Sequence, residues 1–155
     1  VPVVLDELQS PNIVNMRMSN TYFPDTNKVL IEIESEFMLA LNDQFRLAVY
    51  IVEDSLVSPQ LNNSPDIGGD TIFNYVHRNV LRDVISPIYG DFMGDEGNIL
   101  PGQIYENEYT YYINSAWLTH HCRIIAFIGK WDATYSFIDI VQSVELSINT
   151  NCQRR

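Results

Sequence analysis

The sequence predicts an all-β protein, an immunoglobulin- or fibronectin-III-like β-sandwich of seven to eight strands. Three observations carry this. Apolar and polar residues alternate with a period of two through much of the chain, the signature of strands buried on one face. The alternating segments are short and separated by turns rich in Pro, Gly, Asn and Asp. No long segment has a convincing helical stripe. With 155 residues the chain is long enough for one domain with a real core. Residues 1–155 read as a single sandwich domain, without internal repeat, low-complexity tract or linker.

Val1 to Leu8 is β-rich, with Pro2 suited to an edge strand. Ile13 to Met18 alternates, with Val14, Met16 and Met18 against Asn15 and Arg17. Tyr22 to Lys28 is a turn punctuated by Pro24, Asp25 and Asn27. Val29 to Leu41 turns Ile31, Ile33, Phe37 and Leu39 one way and Glu32, Glu34 and Glu36 the other. Three carboxylates on one face read as a solvated face rather than a cation strip. Phe45, Leu47, Val49 and Ile51 form the next inward row. The short polar link at Asn42-Asp43 predicts a β-hairpin between these two strands.

Ser58 to Asp70 reads as loop. Thr71 to Ser86 fits both a strand face and a helical stripe; its β neighbours favour an extended segment. Pro87 to Gly102 is a second turn-rich loop. Tyr105 to Ile113 is a strand with Tyr109, Tyr111 and Ile113 inward. Cys122 to Gly129 is apolar on both faces, as in a central sandwich strand. Lys130 to Ala133 reads as a turn. Tyr135 to Ile148 is the last strand, with Ile138, Ile140, Gln142, Val144, Leu146 and Ile148 in one phase.

Composition narrows the partners. Hydrophobic content of 46% and charged content of 19% are those of a globular chain. Nine basic against twenty acidic residues give a net charge of −11. Non-specific nucleic-acid binding needs a positive surface, so that partner class is excluded, and anionic lipid is disfavoured. The longest apolar run, Ile124 to Ile128, is strand-sized. No direct membrane insertion by this chain is expected, since a spanning helix needs about 18 apolar residues. The N-terminus lacks the regions of a signal peptide.

No nucleophile elbow, P-loop or dinucleotide fingerprint occurs. Four constellations remain. Glu53 and Asp54 stand where a strand leaves its sheet, with His77, Arg78 and Arg82 downstream. They read as a salt-bridged clamp, because the Arg fork suits carboxylates; the rival is a metal-dependent hydrolase built on Glu53, Asp54 and His77. Asp91, Asp95 and Asn98 are oxygen-rich enough to suggest calcium, but without EF-hand spacing. No cofactor is expected, and a solvated turn is the preferred reading there. His120-His121-Cys122 reads as a polar strand entrance before a buried cysteine rather than a zinc or thiol site. Cys122 and Cys152 either form one disulfide tying down the tail or remain two thiols. Finally, Tyr89, Phe92, Tyr105, Tyr112, Trp117, Trp131 and Tyr135 lie at strand ends and loops, where they serve as rim and core or as a platform for a protein or glycan ligand.

Val49-Tyr-Ile-Val-Glu-Asp54 with Gln60, Tyr75-Val-His77 with Val80-Leu-Arg82, and Ile124-Ile-Ala-Phe127 with Val141-Gln142 and Glu145 fall in order. Together they resemble the C-terminal part of the Bacteroidetes outer-membrane lipoprotein family typified by the 28-kDa outer-membrane protein. The resemblance spans roughly Val29 to Ile148. It implies a cell-envelope location, at the outer membrane or cell surface, and a C-terminal fragment of a longer lipoprotein. It also implies an upstream thioredoxin-like domain, often with a Cys-x-x-Cys that this sequence lacks. No catalytic residue comes with the resemblance. The expected function is a non-catalytic binding module; the alternative is an accessory domain presenting substrate to the redox domain.

Overall fold

A computed structural model describes residues 12–64, 69–94, 98–134 and 136–148. Its ten strands are β1 (Val14–Phe23), β2 (Lys28–Phe37), β3 (Phe45–Glu53), β4 (Leu56–Leu61), β5 (Thr71–His77), β6 (Val80–Val84), β7 (Asp91–Met93), β8 (Ile104–Tyr112), β9 (Cys122–Asp132) and β10 (Ser136–Ser147). One sheet has the order β1-β2-β8; the other runs β10-β9-β3-β6, with β7 also paired to β3. Every pairing is antiparallel. The two sheets close on one apolar core, so the all-β sandwich stands as the sequence predicts.

Alternation places the core. Val29, Ile31, Ile33 and Phe37 of β2 face Phe45, Leu47, Val49 and Ile51 of β3 and Cys122, Ile124, Ala126 and Ile128 of β9, all buried. The opposite face of β2 carries Glu32, Glu34 and Glu36. Ser19 donates to Glu32 at 3.0 Å, and Arg17 reaches Glu34 at 3.5 Å. This is the solvated face expected. Across the sandwich, Tyr109 donates to Asp91 and Tyr111 to Asp83, tying β8 to β7 and β6.

Several expectations are corrected. The hairpin between Val29–Leu41 and Phe45–Ile51 does not form: β2 and β3 lie in opposite sheets. Alternation fixes which face is apolar, and two inward rows look the same side by side or face to face. The linking segment crosses over because Leu41 pairs with Ile99 through reciprocal hydrogen bonds of 2.9 and 3.0 Å. Leu39, expected inward, is exposed in this crossing. Ser58 to Leu61 is strand rather than loop; Pro59 sits at a register shift, where a strand tolerates proline. Thr71 to Ser86 is extended but broken in two at Arg78-Asn79. The Pro87–Gly102 loop contains β7, and β9 runs on to Asp132, so Lys130 is strand. In β10, a bulge between Ile140 and Gln142 turns Ile140 outward and brings Val141 onto the core. These splits raise the strand number above the expected seven to eight. The Val1–Leu8 strand lies outside the described residues.

Gly90 shows how tightly β7 is delivered to β3. Its φ is +74°, and a Cβ there would lie 2.8 Å from the Leu47 carbonyl oxygen. Both conformation and space demand glycine. The Gly90→Ala variant is predicted to lose about 1–3 kcal/mol, from backbone strain and overpacking. Urea unfolding checks this; wild-type stability in the variant would show that the turn is not constrained.

Candidate functional site

Strand β3 carries its inward row to Glu53, a carboxylate that is only 2% exposed. A buried charge must be paired. Glu53 Oε1 accepts the Leu118 N–H at 2.9 Å, and Oε2 lies 3.3 Å from Arg82 Nε. Arg82 gets there because the β3–β6 register slips: Ile51 pairs with Asp83 and Val52 with Leu81, leaving Arg82 as the extra residue. Bulges re-aim side chains in this way. The guanidinium also lies over the Trp117 ring, 4.8 Å from its centre.

Cys122 pairs with Glu53 across the β3–β9 ladder. Burial, then the Glu53 charge, pushes its thiol up to about 11, against a smaller opposing pull from Arg82. The thiol is therefore protonated at neutral pH and is no activated nucleophile. His120 and His121 occupy a 3-10 turn before β9 rather than the strand itself. Their rings contact each other, and no group of three His, Cys, Asp or Glu spaced for a metal occurs among the described residues. Cys152 lies outside the described residues, and so does its pairing with Cys122.

A second tier sits just beyond. Asp54 N–H donates to the His121 carbonyl at 3.0 Å. Asp54 Oδ2 accepts from Arg78 Nη1 at 3.0 Å, and the same nitrogen reaches Ser55 Oγ at 3.1 Å. Arg123 lies 3.9 Å from Asp54, binds Glu145 at 2.6 Å and donates to Asn79 Oδ1. Partial burial pushes the Asp54 carboxyl up. The Ser55 backbone N–H, the bond and charge of Arg78, and the Asn79 N–H outweigh it and hold the group below its ordinary value. Ser55 and Asn79 have φ of 58° and 49°. They lie between the last β3–β6 pair, Glu53↔Val80, and the first β4–β5 pair, Leu56↔His77. The cluster therefore marks where one long ribbon kinks out of the sheet.

His77 does not join it. Its ring contacts Tyr75 at 4.9 Å, and it bonds neither carboxylate, so the Glu53–Asp54–His77 hydrolase arrangement is not assembled. The calcium candidates lie partly outside the described residues. Asp91 is turned to the Tyr109 hydroxyl at 2.5 Å, Asn98 is exposed, and Asp95 lies outside the described residues.

The aromatic candidates separate into two groups. Tyr105 packs edge-on to Phe37 in the core, Trp117 supports Arg82, Tyr112 is exposed at the end of β8, and Tyr135 lies outside the described residues. Tyr89, Phe92 and Trp131 converge. Arg46 of β3 is the residue that gathers them: its guanidinium is 4.0 Å from the Phe92 ring centre and 4.1 Å from that of Trp131, and it donates to the Tyr89 carbonyl at 3.1 Å. Tyr89 packs edge-on to Trp131 at 5.4 Å. Sequence reasoning missed Arg46. Its signal was a lone cation in the outward phase of an apolar strand, which needs the β7–β3–β9 pairing to acquire meaning.

The architecture defines an all-β sandwich domain with a kinked ribbon, an internally paired ionic cluster and an ordered aromatic surface. Residues 2–151 match the family model described as Outer membrane protein Omp28, and the chain belongs to that family. The family places the protein in the bacterial cell envelope, at the outer membrane. A domain of the outer membrane lipoprotein Omp28 from Porphyromonas gingivalis has a similar structure, with TM-score 0.52 and 17% identity over 88% of each chain. HBP35 of Porphyromonas gingivalis is similar with TM-score 0.65 and 10% identity over 99% of this chain and 48% of that one. This chain thus spans about half the length of the second. No curated protein matches the sequence.

The Asp54 shift sets a pH dependence. A carboxylate whose folded pKa is depressed adds stability above its unfolded value, about 3.9, and loses it as pH falls through the folded value. Wild type is predicted to melt above Asp54→Asn at pH 7, with the gap closing below about pH 4. Thermal unfolding of both proteins from pH 7 to 2 checks this; a gap independent of pH would remove Asp54 from the clamp.

Proposed function

We propose that this domain is a non-catalytic binding module of a cell-envelope lipoprotein, and that it takes a protein or glycan ligand on the Tyr89–Phe92–Trp131 surface. The observation that carries the reading is the side-by-side order of these rings around Arg46. Phe92 is 63% exposed yet held on one side by a cation and by the β7–β3 pairing. Exposed aromatics fixed before the ligand arrives lose little freedom on binding, and Tyr, Trp and Arg are the residues that dominate binding hot spots. Ile88, beside Tyr89 in the chain, is also exposed.

The ionic cluster supports the same reading from the other side. Glu53 is ion-paired with Arg82 and Asp54 with Arg78, and the Cys122 thiol is held protonated. The accessory role beside a thioredoxin-like domain would therefore use this domain for presentation, with the redox chemistry supplied elsewhere.

The test presents immobilised domain in parallel to solubilised outer-membrane proteins and to cell-surface polysaccharide. Retention of one class is expected, and Phe92→Ala is predicted to weaken it by about 2 kcal/mol, roughly thirtyfold. Equal retention by the variant, or retention of neither class, would count against this surface.

A further inference from the structure

The β4–β5 ribbon stands apart from the sandwich. Among the described residues neither strand hydrogen-bonds to either main sheet or packs closely on it. Leu61 is 77% exposed and Phe73 72%, with Val57, Tyr75 and Val76 also open to solvent. A two-stranded ribbon is marginal in water; three or more strands with an apolar face are needed for independent stability. This ribbon is nevertheless held outward by the Asp54–Arg78 clamp at its base. Its two outer edges differ. β4 contains Pro59, which removes a donor and marks a bulge. β5 is seven residues without proline, glycine, Asp, Glu, Lys or Arg. No strand pairs with it among the described residues, and such an edge is a template for another strand.

We propose that β5 pairs antiparallel with β5 of a second copy of this chain, about a two-fold axis at Asn74, making one sheet in the order β4-β5-β5-β4. Two features of the strand select a second copy. The chain carries a charge of −11, yet residues 56–61 and 71–77 hold no acidic or basic side chain other than His77, so two copies meet there with little repulsion. The strand is also self-complementary when reversed about Asn74. Phe73 then opposes Tyr75 of the other copy, Ile72 opposes Val76, and Thr71 opposes His77. These are aromatic, aliphatic and polar pairs of the kinds that stabilise antiparallel ladders. The isologous contact closes, so it yields a dimer rather than a fibre. It also merges the Phe73 and Tyr75 faces of both ribbons into one apolar surface.

This inference is independent of the aromatic surface, which lies at the opposite end of β3. The test uses a Cys152→Ser background. Asn74→Cys in that background is predicted to form a reducible covalent dimer under mild oxidation, because directly opposed residues lie within disulfide reach. Thr110→Cys on exposed β8 should not. In parallel, analytical ultracentrifugation of wild type should show a dimer, and Phe73→Lys should raise its dissociation constant at least a hundredfold while far-UV circular dichroism is unchanged. A monomeric wild type would overturn the proposal. So would a dimer that survives Phe73→Lys, or equal cross-linking through Thr110→Cys.

Discussion

The structure depends on one buried carboxylate. Glu53 ends the inward row of the central strand β3, where an uncompensated charge would be costly. It is tolerated because three separate parts of the chain converge on it: the β6 bulge brings Arg82, the segment before β9 brings the Leu118 N–H, and Trp117 lies beneath the guanidinium. Each of these placements also fixes something else. The bulge sets the β3–β6 register, the Leu118 contact sets the entry to β9, and the adjoining Asp54–Arg78 pair sets the kink from which β4 and β5 project.

Strand β3 thereby divides the molecule. At one end Glu53 and Asp54 consume their charges internally and hold the ribbon outward. At the other end Arg46 orders Phe92 and Trp131 on the surface. The same physics operates at both ends: an arginine fixed by neighbours fixes a strand connection in turn. The outcomes differ because one guanidinium neutralises carboxylates and the other is flanked by rings. Between the two ends, alternating apolar side chains of β2, β3 and β9 fill the sandwich.

The sequence made much of this legible. The inward rows of β2, β3 and β8 follow from alternation, the central place of β9 follows from its apolar run, and the clamp between Glu53 or Asp54 and Arg78 or Arg82 follows from charge and spacing. The failures have physical causes. Alternation reports a face and not a partner, so the β2–β3 crossover looked like a hairpin. Pro59 looked like a loop marker because its bulge exists only in the paired ribbon. Ile140 shares the inward phase in the sequence, because the β10 bulge leaves no local trace. His77 stood near the acidic residues in sequence reasoning but follows its own strand outward. Arg46 was invisible as a site residue because its ring partners come from strands separated by long connections.

The most direct test of the central claim is a double-mutant cycle on Glu53→Gln and Arg82→Met, followed by urea unfolding. If the buried pair is what holds this end of the sandwich, each single variant should lose about 1–3 kcal/mol, because each leaves a buried polar partner unsatisfied. The double variant should lose less than the two together, with a coupling of about 1 kcal/mol or more. Strictly additive losses would mean that Glu53 and Arg82 do not stabilise each other, and the account of this end as a structural clamp would fail.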